Sequence, residues 1–182
     1  MNETLQTIAK RYSCRAYTNQ MPTDEQLDLI GKAALAAPSG MNMQPWRVVI
    51  VKDRKLIDDL EADAMNTLKA AADQSAYNRI MSRGGKLFYN APVMVMVPIE
   101  PDKDHDCGIL TENVALAAAS MGLGNVICGM AGIPFAGPRS AEFKKRFGFP
   151  EGFEFGMSIL IGYAAEDGKS HPLDMGKLSY IG

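Results

Sequence analysis

Arg11, Ser13 and Arg15 alternate in the run RYSCRAY, so in an extended segment their side chains project to one side. Two guanidinium groups and a hydroxyl brought together suit a phosphate, because guanidinium forks give paired charge-assisted hydrogen bonds and the hydroxyl adds a donor. A solvated basic turn would account for the same residues. The run Pro38 to Trp46, PSGMNMQPW, places Ser39, Asn42 and Gln44 between two prolines, with Gly40 inside. Such a segment is rigid and rich in donors. It could serve the edge of a flat heteroaromatic ring that carries carbonyl and nitrogen acceptors, and it could equally be a well-made helix-to-strand turn. Gly129 to Gly132 (GMAG) either brings bare backbone NH groups close to a ligand or forms a plain loop. Trp46 opens an apolar run and reads as a core anchor.

Other chemistries have little support. The chain has no GxSxG elbow, no HExxH and no CxxC, and only two histidines. Asp102, Asp104, His105 and Asp106 stand between an apolar run and a helical pattern and read as a solvated, N-capping loop, not as metal ligands. Gly122 and Gly124 follow a helix, so they lack the strand, glycine turn and helix order of a Rossmann fingerprint. Difficult chemistry would have to come from a bound cofactor.

Composition sets the frame. The 182 residues are 47% hydrophobic and 22% charged, ordinary values for a globular chain, with one domain over 1–182 as the expectation. A net charge of -2 offers no broad basic field for nucleic acid or an anionic membrane surface. No stretch approaches a membrane span, and Met1 to Tyr12 is polar where a secretory signal is apolar, so a cytoplasmic protein is expected. Cys14, Cys107 and Cys128 are far apart and odd in number, which points to separate thiols and not to a disulfide framework.

The elements that must position these residues follow from pattern. Thr23 to Gln26 has capping-box spacing, and Leu27, Ile30, Ala33, Ala34 and Ala37 then recur at helical intervals until Pro38. Trp46 to Val51 reads as a strand, and about Asp53 to Ala72 as a helix with Leu56, Leu60, Ala64 and Leu68 on one face. Asn78 to Tyr89 reads as a loop with at most one helical turn, Val93 to Val97 as a buried strand, and Cys107 to Met121 as a buried helix stopped by glycine. Asn125 to Cys128 and Phe155 to Ile161 add strands, with Arg139 to Phe147 a helix between them. Residues 163–182 are polar and read as an extended tail that needs something to pack on.

Taken in order, RYSCRAY, PSGMNMQPW, the small-residue helix ending in MGLG, and GYAAEDGK resemble the nitroreductase family over nearly the whole chain. The resemblance implies an α+β fold with a mixed, mainly antiparallel sheet of four to five strands flanked by helices, assembled as a homodimer. It implies bound FMN, with Arg11, Tyr12, Ser13 and Arg15 at the phosphate and the pyrimidine edge. Arg15 would then stabilise the negative charge that reduction places near N1 and the C2 carbonyl. Pro38, Ser39, Gly40 and Asn42 would reach the flavin of the partner subunit, which couples cofactor binding to dimerisation. Met130, Ala131 and Gly132 would supply backbone NH groups near N5. Lys169 and His171 would approach the phosphate, with His where Arg is more usual. Lys86 is a further candidate contact, although RGGKLFYNAP departs from the pattern of longer members. Many members carry an extra helical insertion over the flavin, so this shorter chain implies a more open site.

The implied reaction passes hydride from NADH or NADPH through flavin N5 to an electron-poor small molecule such as a nitroaromatic or quinone, with no side-chain nucleophile. A flavin reductase, a specialised member acting on one metabolite, and a flavin-binding protein without turnover share the same residues.

Overall fold

The run from Val93 to Ile99 is apolar throughout and rich in β-branched residues, as in a strand covered on both faces. In the computed structural model, which describes residues 1–182, it forms β2 (Val93–Ile99), buried at every position. β1 (Val49–Val51) and β4 (Glu154–Gly162) flank it, and β3 (Gly124–Ile127) lies beyond β4. The order is β1-β2-β4-β3, and every pairing is antiparallel. A register shift falls between Val97 and Pro98, where proline cannot donate to the ladder.

Side-chain alternation along β2 divides the core in two. Met94 and Met96 face one layer, built with Ile57 and Leu60 of α3 (Arg54–Ala70) and Phe143 of α6 (Ser140–Arg146). Val93, Val95 and Val97 face the other, built with Leu27 and Ile30 of α2 (Asp24–Leu35) and Leu110 and Val114 of α5 (Asp104–Ser120). The capping box at Thr23 and Gln26 is present, and α5 stops before Gly122, whose φ of 75° suits glycine. The aromatic residues Phe135, Phe149 and Phe155 stack beneath the first layer. Trp46 is 2% exposed and packs in the second, as a core anchor.

Several elements differ from the sequence expectations. The polar start is a helix, α1 (Glu3–Lys10), capped by Asn2 and burying no residue. α4 (Ser75–Met81) starts three residues before the expected loop and supplies its one helical turn at its end. The buried face of α3 consists of Ile57, Leu60, Glu61 and Ala64: Leu60 and Ala64 are where the pattern put them, Leu56 packs at the margin, and Ile57 and Glu61 widen the face. GMAG begins a 3₁₀ turn, Gly129–Ala136, that packs against α3. β1 is shorter than Trp46 to Val51, although Trp46 still makes an isolated antiparallel bridge to Ile99. No helix is long and apolar enough to cross a membrane.

Candidate active site

The RYSCRAY segment runs along the open edge of the sheet. Ser13 bridges Asn125 of β3 in parallel, Cys14 N donates to Asn125 O at 2.8 Å, and Tyr17 bridges Ala164 antiparallel. This pairing enforces the expected alternation: Cys14 turns into the core, while Ser13 is half-buried and Arg15 exposed. The Arg15 guanidinium folds back to donate to Ser13 O at 3.3 Å, so the two residues lie side by side. No carboxylate pairs with Arg11 or Arg15. A sheet edge that displays uncompensated guanidinium groups has spare donors for an anion. Arg11 and Tyr12 also border a cavity of about 580 Å³ between α1, the end of α5 and β3.

Tyr12 turns towards the tail. Its hydroxyl donates to Glu166 O at 3.3 Å, and its ring lies where a Cβ on Gly168 would fall, 1.9 Å from Cε2. Partial burial raises the Tyr12 pKa, with smaller contributions from its neighbours. Gly168 is thus required for a close approach, and the contact fixes the chain immediately before Lys169 and His171. Both of these residues are exposed.

The loop after α2 is held by its own polar groups. Gln44 N donates to Ser39 Oγ at 2.9 Å, and Gln44 Nε2 donates to Asn42 Oδ1 at 3.0 Å. The Asn42 amide nitrogen and the Ser39 hydroxyl proton stay available for a ligand. Met41, Asn42 and Gln44 all have left-handed backbone, with φ of 50°, 55° and 48°. Strain of this kind persists only where the surroundings over-determine it. One support comes from α5, because Gly40 N donates to Asp106 Oδ1 at 3.0 Å. Asp106 therefore braces this loop and is not part of a solvated cap as expected; α5 has no side-chain N-cap bond. The loop lines neither the 580 Å³ cavity nor the cavities around Lys86.

The stretch after β3 gives its residues unequal access. Ala131 is fully buried, and its NH makes a long bond to Cys128 O at 3.4 Å. Gly132 is explained by packing, since a Cβ there would meet the Phe155 ring at 2.7 Å. Gly129 is exposed, and Met130 and Gly132 are half-buried. Burial pushes the Cys107 thiol up to about 11, and burial also raises Cys128, so neither thiol is a ready nucleophile.

Lys86 lies within reach of this turn. A small cavity of about 60 Å³ is bounded by Arg79, Arg83, Lys86, Tyr89 and Met130, among others. Lys86 Nζ is also 3.6 Å from Glu61 Oε2. Arg79, Arg83 and Glu61 were not among the residues singled out from sequence. The phase of α3 is the only signal that could have marked Glu61, as an acid on the same face as Ile57, Leu60 and Ala64.

A family profile described as the nitroreductase family matches residues 8–163. A nitroreductase of Desulfitobacterium hafniense, solved with bound FMN, is 51% identical and superposes with a TM-score of 0.98 over 100% of both chains. A second FMN-bound nitroreductase, from Bacteroides fragilis, is 27% identical with a TM-score of 0.91, again over 100% of both chains. The NADPH-flavin oxidoreductase of Vibrio harveyi is 29% identical over 185 residues, covering 94% of this chain and 70% of that protein.

Proposed function

The chain belongs to the nitroreductase family, and from that premise we propose that it is an FMN-dependent NAD(P)H oxidoreductase whose acceptor is an electron-poor small molecule such as a nitroaromatic or quinone. The observation that carries the reading is Ser13 and Arg15 side by side on the sheet edge, preceded by Arg11 at the end of α1, with no acidic partner for either arginine. This donor set fits a phosphate and the electron-rich edge of a flavin.

Bound FMN would supply hydride uptake and release at N5. The chain's own residues bind and orient it. Arg11 and Ser13 would hold the phosphate, with Lys169 and His171 brought up by the Tyr12 contact at Gly168. Arg15 would place positive charge where reduction accumulates negative charge. Lys86 and the turn from Met130 to Gly132, which follows the exposed Gly129, would approach the flavin as well. Pro38, Ser39, Gly40 and Asn42 would serve the flavin of a second subunit, because their loop stands apart from the cavities bordered by Arg11 and Lys86 in its own chain. Cofactor binding would then favour the homodimer.

The purified protein should release FMN on denaturation and oxidise NADH or NADPH when given a nitroaromatic or quinone. A colourless protein that binds no added FMN would overturn the proposal, and sedimentation of the FMN-loaded protein as a monomer would remove the shared site.

A further inference from the structure

Glu61 is a carboxylate in an unusual place. It is 6% exposed, on the buried face of α3 beside Ile57, Leu60 and Ala64. Acidic side chains are rarely buried so fully unless each oxygen has a partner, since an unpaired charge away from water is costly. Here both oxygens do. Oε1 accepts from Phe88 N at 2.7 Å, and Oε2 lies 3.6 Å from Lys86 Nζ.

The partners lie on one constrained loop. Gly84, Gly85, Tyr89 and Asn90 all have positive φ, of 96°, 70°, 53° and 57°. α3 anchors the far end too, where Arg54 donates to Ala91 O at 3.1 Å and to Asn90 Oδ1 at 3.3 Å. Glu61 thus fixes the path of the loop at Phe88 and the direction of Lys86 together. Lys86 stands on the wall between a cavity of about 320 Å³ on the Glu61 side and the small one bordered by Met130.

Holding the Phe88 NH does not require a charge, because a glutamine oxygen accepts as well. The charge is accounted for by Lys86. The neighbouring cations Arg79 and Arg83 have no carboxylate partner, so Glu61 is what limits the positive field beside Met130. We propose that Glu61 is a positioning residue of the flavin site, which holds Lys86 in an ion pair and so limits the positive charge that Lys86 presents to the cofactor, setting the preference of the site for reduced over oxidised FMN. The inference rests on the proposed FMN site.

The test is the midpoint potential of the FMN-loaded protein, measured by reduction against a reference dye, for wild type, Glu61→Gln, Lys86→Gln and the double variant. Glu61→Gln keeps the acceptor for Phe88 and removes the charge. It should raise the affinity for reduced relative to oxidised FMN by about tenfold, which is about 30 mV upward for a two-electron couple. Lys86→Gln should shift the preference the other way, and in that background Glu61→Gln should have less than half its effect. A shift below twofold in Glu61→Gln overturns the proposal, as does the same shift with and without Lys86, since Glu61 would then not act through it. If Glu61→Gln does not fold, Lys86→Gln, altered at a half-exposed side chain, decides: an unchanged potential overturns the proposal. Wild-type protein that binds no FMN instead refutes the function itself, which separates the two failures.

Discussion

Replacing Gly168 by alanine would press a methyl group into the Tyr12 ring. The added Cβ would lie 1.9 Å from Cε2 and 2.0 Å from Cδ2. Carbon atoms rest at about 3.5–4.0 Å, so the ring or the tail must move by roughly 1.5 Å or more. Either movement strains the 3.3 Å bond from the Tyr12 hydroxyl to Glu166 O. Beyond this point the chain is exposed, and no ion pair secures Lys169 or His171, so the displacement passes to both. Losing one charge-assisted contact to the cofactor phosphate costs about 1.5–3 kcal/mol. FMN should therefore bind roughly 10- to 100-fold more weakly. Gly168 is exposed and outside both core clusters, so the melting temperature of the cofactor-free protein should move little. Titration of the cofactor-free protein with FMN, followed by flavin fluorescence, gives the first quantity, and a thermal melt gives the second. An FMN affinity within twofold of wild type would refute the claim that the Tyr12 contact sets the tail for binding.

Arg15→Ala should weaken FMN binding by a similar 10- to 100-fold while leaving the melt unchanged, because Arg15 is exposed and donates only to Ser13 O within the chain. Unchanged flavin content would remove Arg15 from the site. Trp46→Ala should cost about 3–5 kcal/mol in denaturant unfolding, as expected for deleting a fully buried indole. A cost under about 1 kcal/mol would mean that Trp46 is not the core anchor. On the opposite face of the sheet, hydrogen bonds from Arg139 and then Arg146 hold the Asp59 carboxyl down at about 2. A depressed value in the folded state gives stability that is complete above about pH 4 and is lost as pH falls towards 2. The group is partly exposed, so screening limits the contribution to about 1 kcal/mol. Asp59→Asn should lose that amount in urea unfolding at pH 7, with the difference shrinking below pH 4, and an equal difference at both pH values would contradict the assignment.

What the sequence revealed follows from how far each signal reaches. β2 and β4 were legible because a β-branched or apolar run buried on both faces has few alternatives. The capping box of α2 and the glycine stop of α5 are local, and both appeared where expected. α1 was not legible because it buries nothing, so Leu5 and Ile8 form no core stripe to count. α4 also buries nothing and is short. In α3 the pattern found Leu60 and Ala64, and only the packing against the sheet shows that Ile57 and Glu61 are buried more fully than Leu56. The basic edge of the candidate site could be read because alternation is a property of a few neighbouring residues. Its supports could not, since Glu61 meets Phe88 across 27 residues and Asp106 meets Gly40 across 66. The same limit holds at Ala131: the run GMAG shows bare backbone, but only the fold shows that this residue is buried with its NH facing Cys128 O.

The most direct test of the central claim is anaerobic mixing of the FMN-loaded protein with NADH or NADPH while the absorbance of oxidised flavin is followed. The account predicts that the absorbance is lost on addition of the nicotinamide donor and returns when a nitroaromatic or quinone is added. Bound FMN that neither donor reduces would contradict it.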